Sequence, residues 1–254
     1  MNTRYSTDEW QCRVDLAACY RLVAHFGMTD LVSNHISARI PGTDDALLLN
    51  PFGMMYEEVR ASNLIRIDLA GNVLHNPNTA YSINRAGYVV HAAVHAARPE
   101  VQCVIHTHTV AGVALSTLQC GVLPISQSAM RFADIAYHDF EGVAVDDGEK
   151  ERLAKDLGDA DVMVLRNHGL LACGATIAEA FNAIFRLERV CQIQMLAMSV
   201  SSPIKTLPEA VVSKAQQQFR SNPGIVGPGP TAFGLLEWPA MLRMLDRIDP
   251  SYKN

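Results

Sequence analysis

Apolar residues recur at helical spacing between Glu9 and Phe26 (Val14, Leu16, Ala17, Tyr20, Leu22, Val23), and Gly27 stands where a helix would be capped. The chain is therefore expected to open with a helix. The pattern then changes to a period of two over His35–Ile40, turns at Pro41-Gly42 and returns along Ala46–Asn50, which reads as a hairpin. Leu64–Asp68 and Val73–His75, joined by Ala70-Gly71-Asn72, make a second strand pair, and Ser82–Ala97 is an amphipathic helix stopped by Arg98-Pro99. Further on, Val101–His108 predicts a strand, Val110–Leu118 a helical segment, Asp161–Leu165 a buried strand continued by Leu170–Cys173, and Thr176–Met198 the longest helix. Hairpin-joined strands interleaved with helices imply a mixed sheet between helical layers.

Near the end the pattern weakens. The segment from Ser221 to Pro230 is rich in Pro and Gly, and after it Trp238, Met241, Leu242, Leu245 and Ile248 give a short helix one apolar face that needs burial. The expected organisation is one domain over residues 1–220, followed over 221–254 by a linker and a helix that packs on the domain or on a neighbouring subunit.

At 254 residues, 49% hydrophobic and 19% charged, the chain can fill a full core, and neither disorder nor a fibrous repeat is in prospect. A formal net charge of −5 gives no field for gathering polyanions, so nucleic acid is not expected as a partner. The uncharged stretch Val101–Met130 is broken by His, Thr, Ser, Gln and Pro, which argues against a membrane span. The polar start, Met1–Trp10, lacks the profile of a secretory signal and six scattered Cys lack disulfide or metal spacing; a cytoplasmic protein with reduced thiols is expected.

Chemistry concentrates at Cys103-Val-Ile-His-Thr-His-Thr109. Side chains alternate across a strand, so His106 and His108 share a face near the strand end, where a pair of imidazoles can close on a metal. His168, between Asn167 and Gly169 after an apolar strand, sits in a turn whose neighbours tolerate a left-handed backbone. The three make a candidate ligand set for zinc, manganese, iron or cobalt, zinc first, with positions left for substrate or water. His91 and His95, at i and i+4, are read chiefly as helix-face residues, His91 being a candidate support for a metal ligand. Tyr137-His138-Asp139 reads as a loop that could bring a protonatable group to the site, and Glu57-Glu58 as a solvated first turn.

From about Gln11 to Val200 the chain resembles the class II aldolase/adducin family, with an adducin-head-like character. The likeness rests on Ser33-Asn34-His35-Ile36, Asn50-Pro51-Phe52-Gly53, Ile83–Gly87, Ala97–Pro99, Cys103–Thr109, Leu165–Gly169 and Ala178–Phe181. It implies a three-layer α/β/α sandwich with a mixed, largely antiparallel central sheet, one divalent cation on His106, His108 and His168, and a homotetramer with sites at subunit boundaries. It also implies substrate contacts from Asn34, Gly53 and Arg85. In sugar-phosphate members an acidic residue nineteen positions before the first metal His carries protons; here that position is Gly87. Their paired phosphate-binding Ser are replaced by Arg85-Ala86, and a Ser or Thr before the turn glycine by Phe52.

Three neutral ligands would leave a cation its full charge as a Lewis acid toward a small hydroxy or keto carboxylate, so the expected reaction is carbon–carbon cleavage, aldol or decarboxylating, through a metal-bound enolate. Decarboxylation gains from Gly87, because loss of CO₂ needs no base to begin, while Arg85 and His138 are the candidate catalytic groups and Arg85 a carboxylate holder. The alternatives are a non-heme iron oxygenase on the same fold and a non-catalytic adducin-like interaction module.

Overall fold

The computed structural model describes residues 5–43, 45–78, 80–142, 147–221 and 232–254, the side chains of Arg85, Ala86 and Asp147 excepted. Helices are α1 (Thr7–His25), α2 (Arg85–Ala97), α3 (Val110–Ser116), α4 (Asp147–Leu157), α5 (Ile177–Met198), α6 (Glu209–Ser221) and α7 (Trp238–Ile248). Strands are β1 (His35–Arg39), β2 (Leu47–Leu49), β3 (Ile65–Ile67), β4 (Val73–His75), β5 (Cys103–Thr107), β6 (Ala136–His138), β7 (Val162–Leu165) and β8 (Gly169–Gly174). They form one sheet in the order β4-β3-β2-β1-β5-β8-β7-β6. Every neighbouring pair is antiparallel except β6 with β7. This is the expected mixed, largely antiparallel sheet of a three-layer α/β/α sandwich.

Alternation along the central strands sorts side chains between the layers. On β5, Cys103 and Ile105 join Ile36, Ala38, Ala172 and the apolar sides of α1 and α5, whereas Val104 packs with Val90 and Val94 of α2 and Leu153 of α4. His106 therefore faces the α2 layer, as does His35, which lies directly opposite it in the antiparallel β1–β5 register. The period of two that predicted these strands also assigns each residue its layer.

Three local expectations need correction. Tyr137-His138-Asp139 is not a free loop: Tyr137 and His138 belong to β6, paired in parallel with Val164 and Leu165. Ser221 does not open the linker but ends α6, a helix with a narrow apolar face of Val212, Ala215 and Phe219 that is only half-buried; it has no fully buried residue. The rest of the Pro/Gly stretch, 222–230, lies outside the described residues.

The apolar face predicted after the linker is set differently at its end. Trp238, Met241, Leu242 and Leu245 contribute to the α1–α5 core together with Met244, while Ile248 remains 59% exposed. The Trp238 indole N–H donates to Asp15 of α1 at 3.3 Å, and Arg21 of α1 pairs with Asp249 at 3.0 Å. Helix α7 thus docks on α1 of its own chain. All six cysteines are free, five of them buried and Cys120 exposed. Among the described residues no helix is long and apolar enough to cross a membrane.

Candidate metal centre

His106 is the last but one residue of the fully buried β5, His108 follows the strand, and His168 projects from the tight turn between β7 and β8. Pairing of β5 with β8 brings the two segments together, with His106 opposite Leu171 and Thr107 opposite Leu170. The turn is possible because Asn167 adopts a left-handed backbone, φ 55°, a conformation Asn tolerates better than most residues. Gly169 serves a different need from the one its sequence position implied. Its φ is not positive; a Cβ there would collide with the Thr107 carbonyl oxygen on the neighbouring strand. Thr109 closes the strand end by capping α3, accepting from the Gly112 N–H at 3.2 Å, and its hydroxyl donates to the buried Glu188 of α5.

The three imidazoles converge through their Nε2 atoms, which lie 2.7 Å apart for His106–His108, 3.0 Å for His108–His168 and 3.2 Å for His106–His168. Their tautomers follow from the other ring nitrogens. His106 Nδ1 donates to the Leu170 carbonyl at 2.9 Å, and His108 Nδ1 lies 3.0 Å from the Asp30 carboxylate. A neutral ring that donates from Nδ1 has a bare lone pair on Nε2, so two lone pairs face each other at 2.7 Å. Protonating His106 or His168 is no remedy. Burial first, then the neighbouring rings of His168 and His108, hold His106 well below the usual imidazole pKa, and burial with His108 lowers His168 to about 4. A divalent cation at the point of convergence satisfies all three, which is the fit expected of a neutral three-nitrogen site. Among the described residues this is the one group of three or more His, Cys, Asp or Glu side chains close enough to share an ion.

Asp30 was not legible in the sequence as part of the site. It lies 78 residues before His108 in a polar segment without periodicity. Asn34 holds it in place: buried itself, its side-chain oxygen accepts from the Asp30 backbone N–H, so Asn34 shapes the turn that carries Asp30. Replacing Asp30 by Asn should weaken zinc binding by about 10–100-fold, the usual cost of losing a carboxylate that orients a metal histidine. A competition titration against a fluorescent chelator reads this, and unchanged affinity would show that the carboxylate is dispensable.

The other candidates are more scattered. His138 is buried, with Nδ1 2.7 Å from Asp156 of α4 and Nε2 3.9 Å from Glu149. His91 and His95 are neither a metal pair nor solvent-facing: both are buried beneath α2 and share the Ser37 hydroxyl, at 2.7 and 2.8 Å. His91 therefore reaches β1, and supports no cluster ligand directly. Gly53 has φ +105°, and a Cβ there would press on the Tyr81 ring at 3.2 Å. Phe52 bridges to Ser82, which sets this loop beside the start of α2. The backbone of Arg85 begins α2, and its side chain lies outside the described residues.

Gly87 faces His35. A Cβ at position 87 would stand 2.6 Å from His35 Nε2 and closer still to Cε1 and Nδ1. The missing proton carrier is thus a steric fact: a buried imidazole fills the space in which any side chain at 87 would begin.

The sequence pattern of the class II aldolase and adducin N-terminal domain matches residues 14–195. A protein of Pseudomonas aeruginosa whose provisional name is aldolase class 2 protein is 44% identical over 254 residues, spanning 100% of this chain and 96% of its own length. The crystal structure of an aldolase II superfamily protein from Pseudomonas syringae superposes with a TM-score of 0.92 at 43% identity, covering 99% of this chain and 98% of that one. The L-fuculose 1-phosphate aldolase of Glaciozyma antarctica superposes with a TM-score of 0.83 at 26% identity, covering 100% and 97%.

Proposed function

Since this chain belongs to the class II aldolase and adducin family, we infer that it is a metal-dependent lyase that breaks a carbon–carbon bond in a small hydroxy or keto carboxylate. The observation that carries this reading is the convergence of three Nε2 atoms on one point at the end of β5. His106, His108 and His168 would hold the ion; Leu170 and Asp30 fix the first two rings in the ligating tautomer. When bound, a divalent cation supplies Lewis-acid polarisation of a carbonyl and stabilisation of the negative charge left by bond cleavage. Zinc is the metal that best suits an all-imidazole set, with manganese, iron and cobalt as competitors.

Within this class the packing at Gly87 favours decarboxylation over cleavage of a sugar phosphate. A proton-carrying side chain cannot be accommodated at position 87 while His35 is in place, and loss of CO₂ needs no base to begin. The iron-oxygenase alternative gains no support: the cluster holds no carboxylate among its described members, and Asp30 approaches Nδ1 of His108, on the far side of the ring from the point of convergence.

The site is rimmed by exposed apolar side chains, with Leu31 beside Asp30 at 68% exposed, Val110 beyond His108 at 88% and Phe140 against His168 at 53%. Such a rim supports burial against another copy, in a homotetramer whose sites lie at subunit boundaries.

The test uses protein loaded in turn with Zn²⁺, Mn²⁺ and Co²⁺ and presented with 3-keto, 3-hydroxy and 4-hydroxy-2-keto carboxylates, with CO₂ and aldehyde measured separately. Metal-dependent CO₂ release is expected from a protein of four-copy mass by light scattering. Fuculose-phosphate turnover should lie about 10²–10⁴-fold below that of an enzyme with its proton carrier in place. Brisk sugar-phosphate cleavage overturns the decarboxylase reading, and a loaded protein inert toward the whole panel overturns the lyase.

A further inference from the structure

His35 is 3% exposed, yet neither of its ring nitrogens has a hydrogen-bond partner. Such a group is costly: a buried polar atom left unpaired has given up its hydration with nothing in return. The imidazoles on either side of it are engaged. His91, 6.0 Å away centroid to centroid, bonds Ser37, and His106 bonds Leu170. His35 alone among them keeps both nitrogens unpaired. Its position is fixed from two directions. The β1–β5 register sets it directly opposite His106 on the same face of the sheet, where side chains of opposed residues stand about 4.5–5.5 Å apart at Cβ. The first turn of α2 closes over it, and the glycine at 87 removes the one side chain that would displace it.

We propose that His35 is a further substrate-binding residue of this site, a ring N–H held beside His106 to donate a hydrogen bond to an oxygen of the bound hydroxy or keto carboxylate. The assignment rests on the metal-centre reading. It adds a specificity element: the pocket recognises an oxygen acceptor next to the cation through a fixed neutral donor, and the volume that a side chain at 87 would need is given to that donor. Gly87 is then a positioning residue for His35. The role needs no change of protonation, because a neutral imidazole carries one donor whichever tautomer it adopts.

Acetohydroxamate, which chelates a cation through two oxygens, is the probe, titrated into the cobalt-loaded protein and followed in the visible spectrum of Co²⁺. His35→Phe keeps a planar ring without its nitrogens; it should retain one Co²⁺ per chain and raise the acetohydroxamate Kd tenfold or more. Gly87→Ala should raise it similarly by pushing the ring aside, and His35→Asn, which keeps a short donor, should recover most of the loss. Unchanged Kd in His35→Phe with full cobalt occupancy overturns the proposal and leaves the metal centre standing. Should His35→Phe fail to fold, Gly87→Ala decides by the same two readouts. An unaltered protein that takes up no cobalt overturns the metal reading and the role of His35 with it.

Discussion

Replacing His106 by Ala is expected to reduce bound metal to a small fraction of an ion per chain and to abolish metal-dependent turnover. The remaining pair, His108 and His168, lies on two separate segments and keeps only one ring whose tautomer is fixed by a partner, Asp30. Thermal unfolding gives the same answer without an assay. An ion bound only to the folded state at a hundred to a thousand times its Kd stabilises by about 2.7–4.1 kcal/mol, which for a chain of this length corresponds to roughly 5–15 °C. A strong chelator should therefore lower the midpoint of the zinc-loaded protein by that amount and leave His106→Ala unmoved. Equal chelator responses in the two proteins would remove the three-histidine centre.

Mild acid should unfold the metal-free protein. Burial holds His35 near a pKa of about 4 and His95 near about 3, both against an ordinary value of 6.5, and burial likewise drives His91 and His106 well down. In the unfolded chain these rings take up protons as pH falls through 6.5; in the folded chain they do not until far lower. The unfolded state therefore binds more protons throughout the interval, and stability, complete above pH 6.5, is lost on the way down to about pH 4. Each ring contributes about 1.4 kcal/mol per pH unit, so four together cost about 6 kcal/mol for each unit of pH below 6.5, against a total stability of roughly 5–15 kcal/mol. Urea unfolding at pH 7, 6 and 5 should show a steep decline, and zinc should offset it by holding His106 unprotonated. A flat profile would mean that water or local opening reaches these rings.

Apart from β6, the strands of the central sheet are legible because they are apolar at alternate positions or over most of their length, and His106 and His108 are legible because a period of two puts them on one face. His168 could be read from a turn whose Asn tolerates the left-handed backbone it adopts. Long-range partnerships were not legible. Asp30 is selected by a turn shaped through Asn34, and nothing in the order of residues says which histidine it will meet. His35 carries a signal in the sequence: His35, Ser37 and Arg39 alternate with Ile36, Ala38 and Ile40, a polar stripe complementary to His91 and His95 on a helix. Only the β1–β5 register sets that stripe beside His106. Helix α6 and strand β6 escaped because the apolar face of the first is narrow and only half-buried, and the second, Ala136-Tyr137-His138, has no apolar alternation.

The pairing of β5 with β8 also fixes when in folding the centre can exist. His168 is 62 residues from His106 and 60 from His108, and all three meet only after that loop has closed and the turn before β8 has formed. Closure of so long a loop costs chain entropy before any ligand geometry repays it. A cation can reward the chain only late, once the barrier has largely been crossed. Its stabilisation would then reside chiefly in slower unfolding and add little to the rate of folding, so an ion held there would act as a lock on the finished sheet and take no part in templating it.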